Sequence, residues 1–136
     1  MTITVQSANT WFDACDRIEQ QLDRAEQLIG EDRAQAFETC HRAALATAGI
    51  MRDRANQERC RPLPLNAWTA LSRLGTVHRV RAAEVEPFVQ LRARSGPLLE
   101  SRVDIAESTV REHIAQSRRY LRVVQGELTD ELAAAC

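Results

Sequence analysis

Apolar residues that recur every three or four positions run through this sequence, and this spacing constrains the fold more than any other feature. A helix completes one turn in 3.6 residues, so the spacing lines one helix face with apolar side chains. It predicts a first helix that begins near Thr10, as its N-cap, and ends at Gly30. The predicted buried face comprises Trp11, Cys15, Ile18, Leu22, Ala25 and Ile29.

The same spacing predicts further helices. A second helix, from about Glu31 to Glu58, carries small residues on two neighbouring faces, which places it at the centre of a helical bundle. The last helix begins between Asp104 and Ser108. Its predicted buried face comprises Val110, Ile114, Ser117, Leu121, Val124 and Leu128.

Two prolines and an asparagine mark the boundaries between the central helices. Pro62 and Pro64 cannot continue a helix, so a loop follows the second helix, and Asn66 is the expected N-cap of a third. A fourth helix is predicted from about residue 78 to residue 91, with a break or kink at Pro87. Its predicted inward residues are Val80, Val85, Phe88 and Leu91.

These elements predict one all-α domain, an antiparallel bundle of four to five helices, in residues 10–128. Residues 1–9 are polar and are expected to form a flexible N-terminus, and residues 129–136 a C-terminal tail. Helix-forming Ala, Leu, Glu, Gln and Arg are abundant, which agrees with this fold class. No apolar run is long enough to predict a membrane span.

Charge and cysteine content narrow the classes of function. All 18 basic residues are arginine, and with 19 acidic residues the net charge is −1, which argues against binding nucleic acid or membrane over the whole surface. The four cysteines form no Cys-x-x-Cys pair, so we expect reduced thiols and a cytoplasmic protein. The histidines lack zinc-like spacing and no phosphate-binding glycine loop occurs, so neither metal nor cofactor is predicted.

One segment resembles a known protein family. The run Arg61-Pro62-Leu63-Pro64-Leu65-Asn66-Ala67-Trp68-Thr69-Ala70-Leu71 resembles the Arg/Pro-rich loop followed by Ala-Trp-x-x-Leu in small actinobacterial HEPN-domain proteins. The Ala-rich helix around residues 40–46 and the start of the last helix around residues 105–110 are similar too, so the resemblance covers residues 10–126. It implies a HEPN-like bundle of four to five helices.

The resemblance also implies a choice of activities, because HEPN domains include metal-independent ribonucleases and inactive members that bind nucleotides, nucleic acid or proteins. The active members carry Arg and, after four to six residues, His near the start of the last core helix. The Arg stabilises charge on the phosphate, and the His transfers a proton. Arg73 and His78 have this spacing but precede the last helix. We therefore expect a non-catalytic binding module for RNA, a nucleotide or a partner protein, with a dimeric ribonuclease that uses Arg73 and His78 as the alternative.

Two groups of arginines are candidates for binding nucleic acid. Arg52, Arg59 and Arg61 lie near the end of the second helix, and Arg118 and Arg122 near the end of the last. If the bundle brings these helix ends together, they form a positive patch that suits phosphate. The alternative is that these cations are favoured at helix C-termini and pair with carboxylates.

The remaining candidates are a helix face and two histidines. The small-residue face of the second helix predicts, as a further alternative, a structural adaptor that self-associates through it. His41 lies on the apolar face of that helix, so we expect it in the core with a hydrogen-bonding neighbour. We expect His113 at the border of the solvent-exposed face of the last helix.

Overall fold

Helices form all the regular structure in residues 5–95 and 105–135, the parts of the chain that the computed structural model describes. This confirms the all-α prediction. Gly96 and Pro97, whose residue types predict a loop between the fourth helix and the last, lie outside the described residues. None of the helices in the described stretches combines the length and apolarity that a membrane span requires. The helices are α1 (Val5–Leu28), α2 (Arg33–Asn56), α3 (Ala67–Ser72), α4 (Thr76–Ser95) and α5 (Glu107–Ala135).

Side-chain contacts between α1 and α5 show that these two helices run antiparallel. Arg118, in the first half of α5, contacts Glu26 close to the end of α1. Gln125, further along α5, contacts Glu19, which lies earlier in α1. A four-residue turn joins α1 to α2, so α2 returns beside α1 in the direction of α5.

The other long helices complete an up-down-up-down arrangement. His113 of α5 lies beside His41 of α2, and Glu131, near the end of α5, pairs with Arg54, near the end of α2. These two helices are therefore parallel and pack against each other, whereas α4 runs antiparallel to α5. The contacts that give the direction of α4 are His78 with Glu127 and Phe88 with His113.

The apolar faces predicted for the first and last helices are confirmed. All twelve predicted residues are buried in the core, which stabilises the bundle by removing their apolar surface from water. The start of α5 also falls within the predicted interval, and Asn66 caps α3 by accepting hydrogen bonds from the backbone N–H groups of Trp68 and Thr69. Asp32 caps α2 in the same way through the N–H of Gln35.

Both ends of the domain are more helical than expected. Helix α1 begins at Val5 rather than near Thr10, and the Thr10 hydroxyl donates to the carbonyl oxygen of Gln6 inside the helix instead of capping it. Helix α5 continues through Gly126 to Ala135, which includes most of the predicted tail. Anchoring of Leu128 in the core accounts for this continuation, because burial outweighs the small helix preference lost at one glycine.

Helix α4 differs most from its prediction. Pro87 does not break it, and because Pro87 and Ala83 are both exposed, water can bind the carbonyl oxygen that the proline leaves without a donor. The prediction that Val80 points inward is wrong, since Val80 is 57% exposed. The inward face instead carries polar residues among the apolar ones. Its buried members are His78, Arg81, Val85 and Phe88.

Candidate functional site

An open groove of about 550 Å³ runs along the outer face of α2, opposite the loop that leads into α3. Its volume lies within the usual range for a small-ligand site. Leu45 and Ala46 are exposed on its α2 side. Gly49, which has no side chain, lies between Arg42 and Arg52, the arginines at the two ends of the groove. A Cβ atom placed on Gly49 would meet nothing within 4 Å, so the groove is empty at this point. The lining residues are Arg42, Leu45, Ala46, Gly49, Arg52, Leu65, Asn66, Ala67 and Trp68.

The loop that forms the opposite wall is held by one buried leucine. Leu63 packs against Ala55 and Ala70, and its backbone N–H donates to the side-chain oxygen of Asn56 at 2.8 Å. With Leu63 turned inward, Leu65 projects outward and is 89% exposed. A large apolar side chain that is so exposed at the edge of a groove is available to a ligand.

Arg52 fixes this wall to α2. One of its terminal nitrogens donates to the carbonyl oxygen of Leu65, and the other lies 3.6 Å from the carboxylate of Asp53. The positive charge therefore lies at one end of the groove, beside the exposed leucine. The guanidinium is a planar, permanent cation that suits phosphate or carboxylate.

Arg42 lies at the other end of the groove and is loosely held. Its side chain is 67% exposed, and its Nε lies 3.4 Å from the buried carboxylate of Glu38. That carboxylate already accepts two hydrogen bonds from Arg92 of α4, at 2.9 and 2.7 Å. These bonds from Arg92 hold the pKa of Glu38 below its usual value, against the opposing effect of burial. Glu38 is thus satisfied by Arg92, and Arg42 can turn to a ligand without leaving a buried charge unpaired.

A second cluster, the polar seam, fills the space between α4 and the α2–α5 pair. Nδ1 of His41 and Nε2 of His113 are 3.2 Å apart, so one ring donates a hydrogen bond to the other. His113 is fully buried and stacks on Phe88 with 4.2 Å between ring centroids. The expectation for His41 is confirmed, whereas the prediction that His113 borders solvent is wrong. The polar seam comprises His41, His78, Arg81, His113, Ser117 and Tyr120.

The guanidinium of Arg81 lies at the centre of the polar seam. It donates to the hydroxyl of Ser117 at 3.1 Å and to the carboxylate of Glu84 at 3.0 Å. It also lies 5.9 Å from the ring centroid of Trp68 and 5.6 Å from that of Tyr120, close enough for attraction to both ring faces. One buried cation thus joins α3, α4 and α5.

Burial and positive neighbours oppose protonation of the histidine pair. Burial lowers the pKa of His113 to about 3, with smaller effects from His41 and Arg81. Burial also lowers the pKa of His41, and Arg92 acts in the same direction. Both rings are neutral at neutral pH as a result. Nδ1 of His113 has no hydrogen-bond partner among the described residues.

Arg73 and His78, the candidate catalytic pair, differ in their surroundings. Arg73 ends α3 and is exposed, whereas His78 is buried in the first turn of α4. Nδ1 of His78 lies 2.8 Å from the hydroxyl of Tyr120, and Nε2 lies 3.0 Å from both carboxylate oxygens of Glu127. Both nitrogens of the ring are occupied by neighbours, and neither residue lines the groove.

The structure separates the five candidate arginines into two groups. Arg52 lines the groove, and Arg59 and Arg61 lie in the loop that forms its wall, with Nε of Arg59 donating to the carbonyl oxygen of Arg61. Arg118 pairs instead with Asp23 and Glu26 of α1. Arg54, near the end of α2, pairs with Glu131 of α5. Arg118 precedes Glu131 by thirteen residues in α5, so it lies about 20 Å from the end of α2 along the bundle axis, at 1.5 Å per residue. Arg122 is exposed on α5, one turn beyond Arg118.

The small-residue face that predicted an adaptor is used inside the chain. Its members are buried between α2 and the neighbouring helices, so α2 is central as predicted and this face has no surface left for a second copy. Packing of the domain itself accounts for the small side chains, because they allow helices to approach closely. The residues are Ala36, Cys40, Ala43, Thr47 and Ile50.

Within the described part of the chain, the cysteines and histidines do not group into a metal site. Cys15 and Cys40 are free and buried, and burial raises the pKa of Cys15 to about 11 and of Cys40 to about 12. Cys60 is free and exposed. In residues 5–95 and 105–135 no three His, Cys, Asp or Glu side chains are grouped to hold a metal ion.

No family model, curated protein or solved structure matches this chain.

Proposed function

We propose that this chain is a HEPN-like helical binding module, without catalysis of its own, whose groove beside α2 binds RNA or a nucleotide. The observation that carries the proposal is the groove itself, an open apolar channel with Arg42 at one end and Arg52 at the other. The four long helices and the short helix that begins at Ala67-Trp68 agree with the number of helices that the resemblance to HEPN domains implies.

The chemistry of the groove suits a ligand with both an apolar face and negative charge. Leu45, Ala46 and Leu65 offer apolar surface on which a base can lie, as bases of single-stranded RNA do in protein grooves. The two arginines offer planar cations to phosphate oxygens. Arg59 and Arg61 extend the positive charge along the adjacent loop. The groove is therefore locally basic in a chain whose net charge is −1.

The surroundings of His78 favour binding over cleavage. A general acid or base must reach the reacting group, and His78 is buried with both nitrogens engaged by Tyr120 and Glu127. The ribonuclease alternative would require this histidine to leave its neighbours and approach Arg73.

We further propose a location in the reducing cytoplasm, which the free, buried thiols of Cys15 and Cys40 support.

Fluorescence anisotropy with a labelled single-stranded RNA tests the proposal. We expect Arg42→Gln to weaken binding by at least about tenfold, since a charge-assisted hydrogen bond contributes roughly 1.5 to 3 kcal/mol. Gly49→Leu should weaken binding as well, by filling the groove without changing any charge. Arg17→Gln is the matched control, because Arg17 is exposed on α1 away from the groove.

Three outcomes would contradict the proposal. Equal affinity of wild type, Arg42→Gln and Gly49→Leu would exclude the groove as the site. Cleavage of the RNA by the wild type that Arg73→Ala abolishes would favour the ribonuclease. Tight binding of an acidic peptide without binding of RNA would identify a partner protein as the ligand.

A further inference from the structure

A second cavity, of about 340 Å³, lies between α3 and α4, on the far side of α3 from the groove. Trp68 lines both cavities, so the groove and this second cleft meet at one side chain. Short α3 is the ridge that separates them. The residues of the second cleft are Trp68, Thr69, Ser72, Arg79, Ala82, Ala83 and Glu86.

We infer that the ligand-binding surface continues past Trp68 into this second cleft, so that the site takes a single RNA strand of several nucleotides rather than a mononucleotide. The inference rests on the proposed function of the groove. It adds a second region of the surface that contacts the ligand, and it specifies a ligand of several nucleotides.

The charges along the two cavities suit a polyanion. Their lining residues include three arginines, Arg42, Arg52 and Arg79, and one glutamate, Glu86. Arg79 is exposed, and its side chain has no ion pair within the part of the chain that the structure describes. Positive charge on both sides of α3 favours a strand that carries one phosphate per nucleotide.

The uncharged groups of the second cleft suit the sugar and base of a nucleotide. Thr69 and Ser72 present hydroxyl groups, and the Ser72 hydroxyl donates to the carbonyl oxygen of Thr69 at 2.6 Å, so its lone pairs remain free to accept. Glu86 is exposed on α4 and can accept from a ribose 2′-hydroxyl or a base amino group. Ala82 and Ala83 leave room beside these groups.

The length of the groove favours a strand over a mononucleotide. Arg42 and Arg52 are ten residues apart on one helix, so their Cα atoms are about 15 Å apart along its axis. A stacked strand advances about 3.4 Å per nucleotide, so the groove alone corresponds to roughly four nucleotides. The second cleft adds further length beyond Trp68.

The ridge between the cavities is held in place. The backbone N–H of Trp68 donates to the Asn66 side chain, and the guanidinium of Arg81 covers one side of its ring. Arg81 is in turn fixed by Ser117 of α5. A bound strand therefore crosses a fixed side chain, and both cavities keep their relative positions.

Binding of oligouridylates of two lengths to the full chain tests the inference. A labelled dinucleotide and a labelled dodecanucleotide are measured by anisotropy against the wild type, Arg79→Gln, Ala83→Leu, Gly49→Leu and the control Arg17→Gln. We expect Arg79→Gln and Ala83→Leu each to weaken the dodecanucleotide by about tenfold and to leave the dinucleotide unchanged. Gly49→Leu should weaken both ligands. All four positions lie on helix surfaces, and circular dichroism verifies that each variant is folded.

The outcomes separate this inference from the proposed function. If Arg79→Gln and Ala83→Leu leave the dodecanucleotide unchanged while Gly49→Leu weakens it, the second cleft is not used and the groove remains the site. Equal affinity of the wild type for both lengths would also overturn the inference. If Gly49→Leu leaves both ligands unchanged, the proposed function itself fails. Binding of a poly-glutamate peptide as tight as that of the dodecanucleotide would assign the surface to an acidic protein.

Discussion

The two sides of the α2–α5 pair are built from different chemistry. On one side α1 packs against α2 and α5 with aliphatic and small residues such as Leu22, Ala25 and Ala44. On the other side α4 reaches the same pair through the polar seam, in which Arg81 and His78 contact Ser117 and Tyr120. The first side is stabilised by apolar burial, which needs no specific partner. The second is stable only while its buried polar groups keep their charge states and the hydrogen bonds that they make.

The difference predicts where the fold is sensitive to conditions. Apolar packing depends little on pH, whereas a buried, neutral histidine pair does not tolerate protonation. The side of the bundle that bears α4 also carries the second cleft, and Trp68 of the groove contacts Arg81. The polar seam thus lies beneath the proposed ligand-binding surface, and the apolar side is remote from it.

Truncation on the apolar side should have the largest effect. Leu22 is fully buried in α1, so Leu22→Ala should lower the free energy of unfolding by about 2 to 5 kcal/mol through lost burial and a cavity. The loss should be the same at pH 7 and pH 5, as measured by urea denaturation. Leu65→Ala is the control, because Leu65 is exposed and its truncation should change stability little. A strongly pH-dependent loss for Leu22→Ala would contradict the separation of the two sides.

Acid should destabilise the polar seam by the next largest amount. Because the pKa of His113 is lowered to about 3 in the folded protein, the unfolded chain binds the proton first as pH falls below about 6.5. Stability is therefore fully present above pH 6.5 and declines below it. The decline should reach roughly 2 to 3 kcal/mol at pH 4.5, since one pKa unit corresponds to 1.36 kcal/mol.

Urea denaturation across this pH range measures the decline. Glu38, whose pKa is lowered, adds its own loss only at more acidic pH, below about 4.5. His113→Phe keeps a ring beside Phe88 and removes the titrating group, so its stability should vary much less between pH 6.5 and 4.5. An unchanged pH profile in this variant would show that His113 is not the cause.

Two ion pairs offer a finer comparison of the sides. Arg92→Gln should cost about 1 to 3 kcal/mol, because it removes two hydrogen bonds from the buried carboxylate of Glu38. Arg118→Gln, on the apolar side, should cost less than about 1 kcal/mol, because its partners Asp23 and Glu26 are exposed. Thermal unfolding of both variants at one pH tests this order. Equal losses would mean that Arg42 fully replaces Arg92 at Glu38.

Two helical glycines should give the smallest effects, with the opposite sign. Gly49 in α2 and Gly126 in α5 both have open space where a Cβ would lie. Gly49→Ala and Gly126→Ala should each stabilise the protein by about 0.5 to 1 kcal/mol through helix preference alone. Thermal unfolding measures both, and destabilisation by Gly126→Ala would indicate a packing role for that position.

The apolar side could be predicted from the sequence, and the polar seam could not. Periodicity identified the buried faces of α1 and α5 because apolar residues recur there every three or four positions, although it omitted the buried His113 and Tyr120. On α4 the inward positions hold His78 and Arg81, which an apolar pattern assigns to solvent, and the pattern therefore chose Val80 instead. His113 was misplaced for the same reason. Only its partner on another helix, His41, makes its burial favourable, and no local signal reports that contact.

The candidate site was predicted in part. The clustering of Arg52, Arg59 and Arg61 near the end of α2 indicates a site, and Arg52 does line the groove. Arg42 was missed, because its role depends on Glu38 being satisfied by Arg92, a contact between residues far apart in the chain. The expected meeting of Arg118 with this group does not occur, because α5 extends past Gly126 and places Arg118 in its first half. The Trp68 segment was the most informative local signal, since it lies at the junction of both cavities.

The distribution of thiols makes the proposed surface convenient to label. Cys60 lies between Arg59 and Arg61, in the loop that forms the groove wall, and is exposed. The thiols of Cys15 and Cys40 are shielded in the core, and their raised pKa values keep them in the unreactive protonated form. After Cys136→Ser, a maleimide dye would attach at Cys60 beside the groove. Energy transfer to a dye on the RNA would then report the orientation of the bound strand without altering any residue that lines either cavity.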